Sequence, residues 1–226
     1  MAATAIVPVK RFAKAKGRLA KALSPEARKD LCRAMLGDVI EAIGESSEVE
    51  RILLVTKEWD LPVVETTWEG VTDARRSTHS AAAMRGIEQA KAEGAEVVVL
   101  LPGDCPLLDP AELDGALRRA HPGRVAIVPD RHGEGTNALI LSPPDAIEPA
   151  FGPGSRDRHE KLARAFGHEV ALERLYSLSL DLDTYEDLTV LRQALDRNPD
   201  LAPRTAETLA KLRRDVESAE KRGSVS

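Results

Sequence analysis

Charged and small residues gather in a few short stretches of this chain, and their types suit the binding of phosphate. Near the N-terminus, Val7-Pro8-Val9-Lys10-Arg11 runs into Lys14, Lys16 and Arg18. Cations at that density would offset the charge of a triphosphate; a solvated basic loop is the plainer alternative. Farther on, Leu101-Pro102-Gly103-Asp104-Cys105-Pro106 places a carboxylate directly after the most hydrophobic run of the sequence. Aspartate is a hard oxygen ligand, and magnesium on nucleotide phosphates takes only one or two protein carboxylates. Metal binding is therefore favoured over a simple turn cap for Asp104. Cys105 reads as a small buried residue that shapes the pocket, not as a nucleophile.

Two glycine-containing stretches follow. Asp130-Arg131-His132-Gly133-Glu134-Gly135-Thr136-Asn137 brings backbone N–H groups and a threonine hydroxyl together, either to approach an anion or to make an ordinary hairpin turn. Phe151-Gly152-Pro153-Gly154-Ser155-Arg156-Asp157-Arg158-His159 has the makings of a phosphate or carboxylate loop: glycine N–H groups, a hydroxyl and the guanidiniums of Arg156 and Arg158. Last comes Leu180-Asp181-Leu182-Asp183-Thr184, where one aspartate could supply a second metal ligand. The alternative is that Asp181 faces solvent and Asp183 belongs only to a helix cap.

These stretches need a scaffold, and the hydrophobic pattern supplies one. Short β-branched runs at 5–9, 51–56, 96–101, 124–129 and 137–141 read as strands, with 62–65 and 176–182 as further candidates. Between them, Ser24-Pro25 opens an amphipathic helix that ends near Gly44, and 81–92 forms a second helix stopped by Gly94. Asp109-Pro110-Ala111-Glu112 has the form of a capping box, and Thr184 caps a late helix that runs to about Leu195. Strands alternating with helices predict an α/β fold, a single-domain mainly parallel sheet covered on both faces. Such sheets bind ligands at the carboxyl ends of their strands, where the stretches above fall. Residues 1–200 are expected to form this domain and 201–226 a charged helical tail with a frayed end.

Composition narrows the class. Net charge is −5 with both signs mixed along the chain, which argues against a nucleic-acid or membrane surface. The 42% hydrophobic content builds a core from aliphatic residues, since aromatics are only 3%. Cys32 and Cys105 cannot make a disulfide framework, no signal peptide is visible, and no apolar run suits a membrane span, so a cytoplasmic protein is expected.

In order, V-P-V-K-R…A-K-x-R-L, G-D-C-P-L-L, D-R-x-G-x-G-T-N-A-L, F-G-P-G-S-x-x-R-H and L-D-L-D-T-x-x-D-L resemble the 2-phospho-L-lactate guanylyltransferases and their phosphoenolpyruvate-using bacterial members, over residues 4 to 196. The family serves biosynthesis of the deazaflavin coenzyme F-420. The resemblance implies a nucleotide-diphospho-sugar transferase-like domain that joins GTP to a small phosphorylated acid and releases pyrophosphate. It implies Mg²⁺ on Asp104 and Asp183, the acid on Thr136, Gly152 and Ser155 with Arg158 and His159 beside them, and the GTP phosphates on Lys10, Lys16 and Arg18. His132 and His159 are read as substrate-shaping donors, and Lys16, Arg18 and Asp104 as the catalytic set. Hand-over of a labile product to a deazaflavin phosphoacid transferase is a further implication. One departure stands out: His79-Ser80 replaces the family's Leu-Asn pair near the guanine site, near an Arg75-Arg76 pair, so a narrower preference for GTP over ATP is expected. Phosphoenolpyruvate is favoured over 2-phospho-L-lactate and 3-phosphoglycerate. Rival readings are a molybdopterin guanylyl- or cytidylyltransferase, a D-x-D glycosyltransferase, and a nucleotide-binding regulatory module without turnover.

Overall fold

The computed structural model describes residues 2–72 and 78–223, so the Arg75-Arg76 pair and the extreme C-terminus lie outside the described residues. Seven strands form one sheet: β1 (Ala3–Val9), β2 (Val49–Thr56), β3 (Glu69–Thr72), β4 (Val98–Leu100), β5 (Arg124–Pro129), β6 (Thr136–Ser142) and β7 (Glu169–Leu172), in the order β3-β2-β1-β4-β6-β5-β7. All neighbours run parallel except β6, which is antiparallel to both β4 and β5. That reversal carries the start of β6, and with it Thr136, to the edge where β1 and β4 end.

The helices are α1 (Pro25–Gly44), α2 (His79–Ala92), α3 (Pro110–Leu117), α4 (Ser155–Ala165), α5 (Tyr185–Arg197) and α6 (Pro203–Gly223). Strand alternation sorts the core into two layers. Ala3, Ala5 and Val7 of β1, with Val97, Val99 and Leu101 around β4, face α1, α3, α5 and α6. Ile6, Val98 and Leu100 face α2 and α4. Both faces are buried, so these strands read as continuous apolar runs. Gly86 lets α2 approach the sheet closely, because a Cβ there would collide with the side chains of Ile6 and Val55.

Several local expectations are corrected. Residues 62–65 form no strand; the third strand lies later, at β3. Residues 176–182 are a 3₁₀ turn, Tyr176–Leu178, followed by irregular chain, although Leu178 and Leu182 are fully buried as their alternation suggests. The short edge strand β7 carries no clear periodicity and goes unread in the sequence. Asp109 caps α3 by accepting from the Ala111 N–H at 2.8 Å, yet no capping box forms. Glu112 instead accepts from the Ser177 N–H and hydroxyl at 2.9 and 2.8 Å, fastening the 176–178 turn.

The start of α6 is tied into the core. Buried Asp38 of α1 accepts from the backbone N–H groups of Arg204 and Thr205 at 3.1 and 2.8 Å, and Ala202, Thr205 and Leu209 are buried. No helix among the described residues is long and apolar enough to cross a membrane. Cys32 and Cys105 are buried free thiols, and burial pushes the Cys105 pKa well above its ordinary value, in keeping with a packing role.

Candidate functional site

The basic loop after β1 is pinned at both ends. Phe12 is buried and its N–H donates to Glu58 Oε2 at 2.7 Å; Leu19 is buried on the far side. Between these anchors Lys16 adopts a left-handed backbone, φ 55° and ψ 38°, which L side chains disfavour. The conformation aims Lys16 inward. Its ammonium, almost fully buried, bonds Asp104 Oδ2 directly and lies 3.1 Å from Asp183 Oδ1. Arg18 stays exposed, 3.9 Å from the other oxygen of Asp183.

The two carboxylates arrive by different routes. Asp104 follows β4 in the turn that the Gly-Asp-Cys-Pro sequence makes. Asp183 is delivered by the buried Leu178 and Leu182, and the Leu182 N–H donates to the Asp104 carbonyl at 3.3 Å. The cap of α5 is formed by Thr184 and Asp187, a reciprocal capping box, and Asp187 also accepts from the Asp183 N–H at 3.0 Å. Asp183 is therefore relieved of capping, and its carboxylate faces Lys16.

Electrostatics couple these groups. Burial alone would push the Lys16 pKa down, but the charges of Asp104 and Asp183 more than reverse that and hold it above the ordinary lysine value. Burial pushes the Asp104 carboxyl up, and Lys16, with help from His79 and Lys10, brings it below the usual carboxylate range. Half-buried Asp181 is pushed up by burial and by the neighbouring Asp104 charge, so it is not a free solvent-facing carboxylate. His79 is held below the ordinary histidine value by burial and by Lys10, with the Asp104 charge acting in the opposite direction.

A cleft of about 210 Å³ joins Pro8, Lys10, Lys16, His79, Gly103 and Asp104, with Asp183 at its wall. Lys10 and Lys16 of the basic loop thus share one space with Asp104 and Asp183, whereas Arg18, Thr136, Gly152 and Ser155 do not line it. A larger groove of about 610 Å³ between α5 and α6 holds none of the predicted site residues.

The second cluster sits at the start of β6, where Thr136 meets the loop and helix that follow the strand in sequence. Gly152 (φ 118°) and Gly154 (φ 67°) take backbone conformations that side chains rarely adopt, and they turn the chain into α4. Buried Ser155 opens that helix, its N–H donating to the Gly152 carbonyl at 3.0 Å. Arg158 and His159 are directed at the loop itself. Arg158 donates to the Ala150 carbonyl at 3.2 and 2.9 Å and to the Pro153 carbonyl at 2.5 Å. His159, fully buried, accepts from the Ala150 N–H at 2.8 Å and lies 3.0 Å from the Thr136 hydroxyl.

The two clusters meet at Phe151. Its ring packs edge-to-face between His79 and His159, with centroid separations of 4.8 and 5.3 Å. Its N–H donates to the Ser80 hydroxyl at 3.0 Å. Ser80 is therefore occupied in joining α2 to the glycine loop, and of the His79-Ser80 pair only His79 lines the cleft. His132 is exposed beside Arg131, and Arg131 pairs with Asp187 at 2.5 Å. Sequence reasoning missed Glu58, which holds the Phe12 N–H and carries no local signal, and gave no role to Phe151 or Asp187, although Thr184-x-x-Asp187 has the capping-box spacing that the structure shows.

Asp104 and Asp183 are the residues that could hold a metal ion. Asp104 and Asp183 converge on one cation, the Lys16 ammonium, and among the described residues no cluster of three or more metal-ligating side chains exists. Two hard carboxylates leave most of a coordination shell to phosphate oxygens and water, which is how magnesium binds with nucleotides.

Comparison with known proteins agrees with this geometry. The family model described as "Guanylyl transferase CofC like" matches residues 3–224. The chain is 42% identical to a phosphoenolpyruvate guanylyltransferase of Conexibacter woesei over 86% of this chain and 89% of the relative. It is 36% identical to a 2-phospho-L-lactate guanylyltransferase of Methanothermobacter thermautotrophicus over 83% of each. The fold matches a candidate nucleotide-diphospho-sugar transferase from Desulfovibrio desulfuricans G20 with a TM-score of 0.72 at 18% identity, covering 93% of this chain and 95% of that one.

Proposed function

The chain belongs to the CofC-like guanylyl transferase family, and from that premise we propose that it transfers the guanylyl group of GTP to phosphoenolpyruvate, in the cytoplasm and with Mg²⁺. It is a nucleotidyltransferase by family, and its relatives are named for guanylyl transfer. The observation that carries the fuller reading is the convergence of Lys16, Asp104 and Asp183 on one cleft.

In the proposed reaction a phosphate oxygen of the acid attacks the α-phosphorus of GTP, the bond from that phosphorus to the bridging oxygen breaks, and pyrophosphate leaves. The nucleophile is already an anion, so no protein base is required. Catalysis then consists of positioning and charge neutralisation. Bound at Asp104 and Asp183, Mg²⁺ would offset the repulsion between the reacting phosphates. Lys16 and Arg18 stabilise charge on the departing pyrophosphate, and Lys10 faces the nucleotide from the same loop. Thr136, Gly152 and Ser155 hold the acid near the start of α4, where the positive end of the helix dipole favours an anion.

The product is a mixed diphosphate of GMP and the acid, an activated donor. It suits hand-over to an enzyme that moves the phosphoacid onto a deazaflavin alcohol, as in coenzyme F-420 assembly. The test is pyrophosphate release with GTP, ATP, CTP and UTP against phosphoenolpyruvate, 2-phospho-L-lactate and 3-phosphoglycerate, with and without Mg²⁺. Turnover with GTP and phosphoenolpyruvate is expected to lead the panel. Release with CTP alone, or no release in any pairing, overturns the proposal.

A further inference from the structure

Both ring nitrogens of fully buried His159 have partners, and one of those partners fixes the tautomer. The Ala150 N–H can only donate, so the nitrogen it meets at 2.8 Å, Nε2, must carry a lone pair. The proton of a neutral ring therefore sits on Nδ1, which lies 3.0 Å from the Thr136 hydroxyl oxygen and donates to it. A charged imidazolium would turn an N–H against the Ala150 N–H, and burial lowers the His159 pKa to about 4, so the neutral ring persists near neutral pH.

The consequence falls on Thr136. With its oxygen accepting from His159, the hydroxyl proton must look elsewhere, and among the described residues the hydroxyl meets no other partner. Thr136 is half-buried at the mouth of β6, on the binding edge of the sheet. We propose that His159 is a positioning residue that fixes Thr136 as a hydrogen-bond donor to the anionic end of the phosphorylated acid, while its other nitrogen holds the glycine loop at Ala150. This inference rests on the proposed function for the identity of the acid; the tautomer and the contact are properties of the free protein.

Arg158 reinforces the arrangement from the neighbouring position. It grips the Ala150 carbonyl while His159 grips the Ala150 N–H, so consecutive residues of α4 hold both polar groups of one loop residue. The Arg-His pair thus acts on the acid through Thr136 and the loop, rather than through ring nitrogens exposed to substrate.

The experiment has a spectroscopic arm and a kinetic arm. Nitrogen-15 NMR of the full chain without substrate should show His159 as the Nδ1–H tautomer, unchanged from pH 8 to pH 5. Thr136→Val should raise KM for phosphoenolpyruvate about tenfold, with kcat and the GTP KM within about twofold. His159→Phe should reproduce that pattern. His159→Gln, whose amide can accept from Ala150 and donate to Thr136, should recover most of the loss. The double variant Thr136→Val with His159→Phe should lose clearly less than the product of the two single losses, because the Thr136 contact is counted once while the Ala150 contact adds its own share. An Nε2–H tautomer, additive effects, or an equal rise in the GTP KM overturns the proposal. If His159→Phe fails to fold, the NMR result and the Thr136→Val and His159→Gln variants still decide it. Calorimetric binding of phosphoenolpyruvate to the wild type runs alongside. Absence of binding and turnover, with the Nδ1–H tautomer present, refutes the functional reading and the substrate half of this inference, whereas the wrong tautomer refutes only the inference.

Discussion

The two halves of the site, the cleft around Lys16 and the cluster around Thr136 that joins it at Phe151, are built on opposite principles. Around Lys16, charged side chains from three distant parts of the chain neutralise one another, and one of them sits on a strained backbone. Around Thr136, the links are neutral hydrogen bonds, glycine turns and an aromatic contact, drawn mostly from residues 136–159. The first half holds its shape through charges that the proposed metal and nucleotide would rearrange. The second is fixed before ligand arrives. A site that must accept a tetra-anionic nucleotide and then release pyrophosphate gains from exchangeable charge, whereas selection of a small acid gains from rigid donors.

The largest effect should come from breaking the charged half. Asp104→Asn removes a carboxylate that faces Lys16 and the proposed metal position. Turnover is expected to fall by several kcal/mol in barrier, on the order of a thousandfold, with circular dichroism unchanged. Near-wild-type rates at saturating Mg²⁺ would place the metal elsewhere and dissolve the contrast between the halves. Ser155→Ala strikes the rigid half. Losing one hydrogen bond to a charged ligand costs about 1.5–3 kcal/mol, and the loss should fall on the KM of the acid. A matching rise in the GTP KM would mean that the loop serves the nucleotide.

A pH measurement sharpens the comparison further, because the rigid half depends on a neutral histidine. The His159 pKa is lowered to about 4 by burial and by the Arg158 charge, while the unfolded chain keeps the ordinary value of 6.5. Between those values the unfolded state binds the proton and the folded state does not, so stability falls as pH drops from 6.5 towards 4 and levels off below. From pH 7.5 to 5.0 this group alone should cost about 2 kcal/mol. Urea unfolding of the wild type and His159→Gln at both pH values checks it: the variant should lose less by that amount. Equal losses would show that His159 is not held neutral.

The sequence disclosed these halves unevenly. β1, β2, β4, β5 and β6 were legible because buried strands must be apolar throughout. β7 was hidden, being short, half exposed and at the edge. The stretch 176–182 misled for a physical reason: Leu178 and Leu182 alternate into the core as a strand would, but the chain there follows a 3₁₀ turn held by Glu112 and never joins the ladder. Asp104 stood out because a carboxylate ends the most hydrophobic run. The pairing of Lys16 with both Asp104 and Asp183 was beyond local reading, since those contacts span 88 and 167 residues. The same limit applied to Arg158 and His159: their residue types suggested anion binding, and only the three-dimensional partners show that both turn towards Ala150.

The smallest effect concerns the seam between the halves. Ser80 was expected from its position in the chain to face the guanine base, and to weaken the preference for GTP over ATP. Its hydroxyl instead accepts from the Phe151 N–H at 3.0 Å, so it ties the first turn of α2 to the loop that carries Gly152 and Ser155. Ser80→Ala leaves that amide without its partner, a loss of about 1 kcal/mol. Any displacement of Phe151 is felt first at Ala150 and His159, on the acid side. The expected outcome is a rise of roughly fivefold in the KM for the acid, with the ratio of kcat/KM for GTP and ATP unchanged. Ser80→Asn should likewise leave that ratio alone, because a longer side chain directed at Phe151 gains no access to the base. His79→Ala supplies the contrast, since His79 lines the cleft and its loss should register in the nucleotide KM. If Ser80→Asn instead widens the preference for GTP, residue 80 reads the base. The seam would then belong to the nucleotide half, and the boundary between the two halves would lie on the far side of Phe151.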